Sequence, residues 1–476
     1  MLFSSLLFIY GFLPVFLVLY YLSPASWRNT TALVGSLLFY AWGEPVFAGL
    51  LLVSGTADYA LSLWMANLPP AARRRRALLA LALTYNLGAL AYCKYSNFFV
   101  EQFNRILGGF QVGGLSWTQV ILPIGISFFT FQKITYLVDV YRGTARPTRS
   151  LRDYLLYISL FPHLVAGPII RFHDLADQIT GREHTLDRFT SGLWRFALGL
   201  GRKVLFANPL GLVADQAFTT KLAALGTAHA WLGILCYTLQ IYCDFAAYSD
   251  MAVGLARMFG FEFCENFRHP YSSLSVTEFW RRWHCSLSNF MRDYLYIPLG
   301  GNRVAAWRRV VNLWLVFLAS GFWHGASWNF IVWGGYHGFL LSLEKMIGHE
   351  RLRRIPALAG WAATFLLAML GWVFFRANNL SEAIHYMERL FGVGATPVTS
   401  AALGSLLTRR TWAVLAIVLA TSFLPENWWD RLGWTSAHPR SRSHALARVG
   451  VGATLFLLAC AALVNQSYNP FIYFRF

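Results

Sequence analysis

The chain is 476 residues long, with 56% hydrophobic and 17% aromatic side chains, 13% charged ones and a mean hydropathy of +0.45. No soluble globular class has that composition, and the chain reads as a polytopic integral membrane protein. The net charge of +18 does not signal nucleic acid: no basic tail exists, and the arginines sit in short loops between apolar runs, the positive-inside pattern.

The first apolar run, 4–23, has no charged segment ahead of it and is too long for a signal-peptide core, so it predicts a retained first span. Further runs cover 31–66, with a turn at Trp42-Gly43-Glu44-Pro45, then 77–95, 117–141, 153–170, 188–216, 228–258, 311–343, 357–377, 411–424 and 448–465. They predict an all-α chain of roughly 10–12 helices, some broken, re-entrant or interfacial. Arg73 to Arg76 and the basic stretch from Arg142 to Arg152 mark cytoplasmic loops. A third basic loop, Arg431 to Arg448, precedes the last run and would send the C-terminus outward. Segments 97–116 and 378–406 are less basic and are expected to face outside. No repeat or low-complexity tract divides the chain, so residues 1–476 are expected to form a single membrane domain. Six cysteines lie in or beside apolar segments without a C-x-x-C pair or a His/Cys cluster, which predicts neither a disulfide framework nor a metal site.

Two polar clusters interrupt the middle runs. Gln240, Asp244, Tyr248 and Ser249 fall mostly at helical spacing in 228–258, so one side of that helix is polar. Gln132, Lys133 and Asp139 lie in 117–141, and His163 sits beside a Pro/Gly break. Hydrogen bonding within a helix bundle explains each singly; convergence on one cavity would point to a site.

The chain is organised around 275–337. From Ser275, Trp280, Trp283, Leu287, Phe290 and Tyr294 recur at steps of three or four, while Arg281, His284, Ser288 and Arg292 recur on another face. This pattern predicts one amphipathic helix, started by a Ser275/Glu278 capping box and stopped by Pro298 and Gly300-Gly301. Basic residues opposite tryptophans suit a membrane-surface anchor. Val311 to Leu343, as one straight helix, would be about 50 Å long, well beyond the hydrocarbon core. It must break, and Gly321, Gly325, Gly334, Gly335 and Gly338 mark where. His324 lies at one such break, either as a functional ionisable group or as a neutral imidazole joining two helices. His337 is about 220° further round a continuous helix and ranks below it.

The strings LPIGISFFTFQKITYLVDVYRG, LFPHLVAGPIIRF, YCDFAAYSDMAVGLARMFGF, NFRHPYSSLSVTEFWRRWHCSLSNFMRDYLYIPLGGNR and FWHGASWNFIVWGGYHG resemble the membrane-bound O-acyltransferase family, in particular its alginate O-acetyltransferase branch. The resemblance covers nearly the whole chain, and its long central motif is its most specific part. It implies helices around a central channel linking the two membrane faces, with His324 as the catalytic histidine and His284 at the second polar position. An imidazole suits the base that a hydroxyl needs to attack a thioester near neutral pH; His284 would orient the donor or stabilise charge on the intermediate. Tyr473, in the terminal NPFIYFRF, resembles the central tyrosine of a short C-terminal acyl-carrier motif, although an aromatic membrane anchor has the same composition.

The expected substrate-binding residues are Asp244, Arg281, Arg282, Asn289, Trp323 and Trp328; headgroup anchoring explains the two arginines equally well. The resemblance further implies acetyl-CoA as a donor substrate rather than a bound cofactor, and transfer toward an envelope or secreted polysaccharide. It also implies a periplasmic acetyltransferase partner, contact with membrane lipids, and a multi-pass location in the bacterial inner membrane with a periplasmic C-terminus. Cellulose, peptidoglycan or another glycan in place of alginate is the alternative within the same chemistry. A proton-coupled transporter and a scaffold for a polysaccharide synthase are the alternatives outside it.

Overall fold

The computed structural model describes residues 1–221, 224–394, 407–424, 441–465 and 468–471, and these form helices and connections without a strand. The all-α reading therefore holds. Six helices among the described residues are long and apolar enough to cross a membrane: Pro45–Ala66, Arg73–Gly109, Leu186–Thr219, Thr227–Met258, Ala357–Arg376 and Arg442–Asn465. The protein is a multi-pass membrane protein.

Several boundaries follow the expected punctuation. Arg28–Ala41 stops before the Gly43-Glu44 turn, and Pro45, whose fixed φ suits a first turn, opens Pro45–Ala66. Others differ. The segment 97–116, expected to face outside and beyond the apolar run 77–95, is helical through Gly109, because Arg73–Gly109 runs for 37 residues, about 55 Å. Its polar side chains tie down the returning chain rather than end the helix: Asn97 Oδ1 accepts from Trp117 Nε1 at 2.9 Å and Val120 N at 3.0 Å, and Asn104 Oδ1 from Leu115 N at 2.7 Å. Within 378–406, the helix Leu380–Leu390 forms behind an Asn379 cap that accepts from Glu382 N at 2.9 Å.

Packing divides the chain into two compact units, Met1–Phe189 with Leu255–Cys264, and Thr190–Gly254 with Glu265–Phe476. In the first, Phe8, Phe12, Phe16, Phe39 and Phe161 form a knot with ring centroids 5.3–6.1 Å apart. Several of its buried polar groups are paired. Lys133 Nζ lies 3.0 Å from Asp58, which also accepts from Asn86 Nδ2 at 2.8 Å and from the Tyr85 hydroxyl. Asp139 meets His173 Nδ1 at 2.8 Å, and the buried His163 donates through Nε2 to the Tyr157 carbonyl at 2.8 Å. These three sequence candidates are thus accounted for by bundle contacts.

The second unit holds the central stretch. Val311–Leu343 belongs to two helices, Ala306–His324 and Trp328–Ile347, joined at Gly325. Of the five glycines expected to mark breaks, only Gly325 does so. Gly334, Gly335 and Gly338 lie inside the second helix, and Gly321 inside the first. The reason is close helix approach: a Cβ on Gly321 would meet the Phe330 carbonyl oxygen at 2.3 Å, and one on Gly334 the Phe317 carbonyl oxygen at 2.4 Å. Gly334→Ala should therefore lose about 1–3 kcal/mol by overpacking, read as a lower melting temperature in detergent. The neighbouring Gly335→Ala, whose Cβ would come no nearer than 3.8 Å to any side chain, should melt like the parent. Equal melting of the two variants would refute this account of the helix pair.

Candidate functional site

The expected amphipathic helix begins as its sequence dictates. Ser275 Oγ accepts from Glu278 N at 3.1 Å, and Glu278 Oε2 accepts from Leu274 N at 2.8 Å. The Glu344 carboxylate adds acceptors for Val276 N at 2.6 Å and Thr277 N at 2.8 Å, placing negative charge at the positive end of the helix.

The helix does not continue as its periodicity predicts. It spans Val276–Arg282, breaks at Trp283-His284, and resumes as Cys285–Met291 before a π-helical turn, Arg292–Tyr296. His284 has φ +46°, a left-handed conformation that costs a non-glycine residue about 1–3 kcal/mol. Asn266 holds it there. The Asn266 carbonyl accepts from Cys285 N at 2.9 Å, and its Oδ1 accepts from Ser286 N at 3.2 Å and Ser286 Oγ at 2.9 Å. The break moves His284 from the expected polar surface to the interior, where it is 1% exposed.

Asn266 also decides the tautomer. Its Nδ2 donates to Ser249 Oγ at 3.1 Å, so its Oδ1 is the atom 3.0 Å from His284 Nδ1. An amide oxygen only accepts, so His284 Nδ1 carries the proton and Nε2 keeps its lone pair. Burial pushes the imidazole pKa down to about 3, so this group, outside the six candidate spans, is neutral at physiological pH. Sequence reading did not single out Asn266; its signal was a polar residue in the short loop that enters the central motif.

His324 is the last residue of Ala306–His324, and the extended Gly325 that follows is covered by the Phe330 ring, 2.2 Å from where a Cβ would stand. Its ring packs against Trp323 at 4.8 Å, Phe375 at 5.1 Å and Trp333 at 5.2 Å between centroids. Trp323, itself buried, lies 6.3 Å from the His284 ring, whose edge-on neighbour is Phe245 at 4.7 Å. The two imidazoles therefore flank one indole. His337 lies beyond Trp333, 5.1 Å from it, and accepts a long bond of 3.4 Å from Trp280 Nε1.

The remaining candidates disperse. Asp244, fully buried, pairs with Lys203 Nζ at 2.9 Å. Arg282 is engaged by Glu278 at 2.6 Å and Ser272 at 3.0 Å, whereas Arg281 is exposed. Asn289 is half-buried on Cys285–Met291, and Trp328 is 48% exposed at the start of its helix. Tyr473 lies outside the described residues. Phe471, two residues earlier, stacks on Tyr248, with centroids 4.5 Å apart.

Comparison with known proteins identifies the family. The family model of the membrane-bound O-acyltransferase family matches residues 144–376, which include both histidines. The chain is 40% identical to the probable alginate O-acetylase AlgI of Pseudomonas putida over 491 residues, covering all of both chains. It is 41% identical to that of Azotobacter vinelandii over 503 residues, again covering both fully. A peptidoglycan O-acetyltransferase of Helicobacter pylori is 36% identical over 428 residues, 83% of this chain and 80% of that protein. The buried histidine pair thus stands in a chain that belongs to the membrane-bound O-acyltransferase family, and the protein is an O-acyltransferase.

Proposed function

We propose that the protein is an inner-membrane O-acetyltransferase that passes an acetyl group from cytoplasmic acetyl-CoA, through a channel between its helices, toward an envelope or secreted polysaccharide of the alginate type. The observation that carries this reading is the pair of buried imidazoles flanking Trp323, one of them held in a strained backbone by four hydrogen-bonding contacts from one asparagine. The relatives named as alginate O-acetylases support the acyl group and the acceptor class; the peptidoglycan enzyme supports the alternative acceptor.

His324 acts as the base. It takes the proton of the attacking hydroxyl as that oxygen bonds to the thioester carbonyl carbon. The tetrahedral intermediate then expels the coenzyme A sulfur, which leaves with the proton. His284, with Nε2 unprotonated, suits accepting a hydrogen bond from donor or nucleophile better than donating one to an oxyanion. The first acceptor is the Tyr473 phenol, because a phenyl ester is activated for onward transfer. A periplasmic acetyltransferase partner then moves the acetyl group to the polymer, and the C-terminus faces that side. Arg281, which is exposed, would meet donor phosphates or lipid headgroups.

Purified protein given isotope-labelled acetyl-CoA should carry label on the C-terminal peptide at Tyr473, and the label should be absent in His324→Ala and Tyr473→Phe. Release of coenzyme A that needs His324 but leaves Tyr473 unlabelled would remove the tail from the mechanism and keep the acyltransferase. Folded, donor-binding protein with neither signal would point to a different donor.

Asn266→Ala should lower turnover by about 10–100-fold through misplacement of His284. Asn266→Asp tests positioning more sharply. A carboxylate beside Nδ1 favours the charged imidazole and raises its depressed pKa, so the acid limb of the pH–rate profile should move toward neutral pH. An unmoved limb, with activity falling only in step with melting temperature, would reduce Asn266 to a structural residue.

A further inference from the structure

The last helix, Arg442–Asn465, is followed by a segment that is tied to the protein rather than left at its surface. The Tyr468 hydroxyl donates to Asp215 Oδ2 at 2.6 Å, and Asp215 Oδ1 accepts from the buried Arg376 at 2.6 Å. Asn208 Nδ2 donates to the Tyr468 carbonyl and to Asn469 Oδ1, both at 3.3 Å. Lys203, paired with Asp244, donates to the Pro470 carbonyl. Phe471, 5% exposed, stacks on Tyr248.

We infer that Asn208, Gly211 and Asp215, with Lys203, form a seat that positions the C-terminal segment for acylation. This rests on the reading of Tyr473 as the acyl carrier. Asn208, Gly211 and Asp215 recur at steps of three and four on Asn208–Thr219, so they share one face. That face is shaped for the tyrosine: a Cβ on Gly211 would stand 2.9 Å from the Tyr468 hydroxyl and 2.5 Å from Gln240 Nε2. Lys203 is 3% exposed, and a buried ammonium with three donors needs acceptors beyond its one carboxylate. The Pro470 carbonyl supplies one.

Stacking of Phe471 alone would let the segment slide along the helix. The bonds to two backbone carbonyls and one phenol set its register. Tyr473 follows Phe471 by two positions in the sequence. The seat also faces the site. Tyr248, under Phe471, is one helical step from Phe245, the ring that contacts His284 at 4.7 Å. Asp244, adjacent to Phe245, thus serves the tail through Lys203 rather than the donor directly.

The test uses full-length purified protein and labelled acetyl-CoA, comparing the parent with Tyr468→Phe and Gly211→Ala. Three quantities are read: the single-turnover rate of Tyr473 labelling, donor affinity, and the rate at which carboxypeptidase removes the terminal residues. Both variants should label Tyr473 at least about tenfold more slowly, bind acetyl-CoA as the parent does, and lose their terminal residues faster. Labelling at the parental rate would overturn the seat, as would donor affinity falling in step with labelling. A parent that never labels Tyr473 would defeat the carrier reading instead. The carboxypeptidase rates would then still decide whether the seat holds the tail, and unchanged rates would overturn it.

Discussion

The site depends on one interruption in a helix. Residues 276–291 carry the periodicity of a continuous amphipathic helix, and a continuous helix would leave His284 on the same face as Arg281 and Ser288. Asn266 prevents this by giving the chain a better set of bonds at the break than the helix ladder offers there. Its carbonyl and amide oxygen take three donors from residues 285–286, and the same oxygen takes the imidazole N–H. The left-handed residue is over-determined by its surroundings, which is the condition under which such strain persists. Position, burial and tautomer of His284 all follow from it.

The glycine pair Gly321 and Gly334 places the other histidine. Two helices whose backbones come within Cβ-excluding distance have little freedom to slide, because each carbonyl sits where the facing side chain would be. His324 ends the first of these helices, so its ring is fixed by that contact and by the box of Trp323, Trp333 and Phe375. The same glycines mark where sequence reading erred. An isolated glycine in an apolar run signals either a break or a close approach, and only the partner helix tells which. Gly325, with an extended backbone, was the break; Gly321 and Gly334 were close contacts.

What was legible in the chain was local. The Ser275 cap, the turn at Trp42 to Pro45, the apolar runs and the two histidines can all be read from a few neighbouring residues. What was not legible required a partner distant in sequence. His284 looked like part of a polar face because Asn266 lies in another segment, and the long helix through Gly109 looked finished because Asn97 and Asn104 bond a loop that returns later. The polar set around Asp244 was visible, but not that its charge is matched by Lys203.

Three buried cations among the described residues are matched by carboxylates: Lys133 by Asp58, Lys203 by Asp244, Arg376 by Asp215. An ion pair kept out of water repays its desolvation only when further hydrogen bonds complete it. In the second unit, two of these pairs are completed by the C-terminal segment, one through a tyrosine hydroxyl and one through a carbonyl. Removing that segment would cost the buried Lys203 ammonium and the half-buried Asp215 carboxylate one hydrogen bond each. The electrostatics of the unit and the placement of residues 468–471 are therefore one problem with one solution.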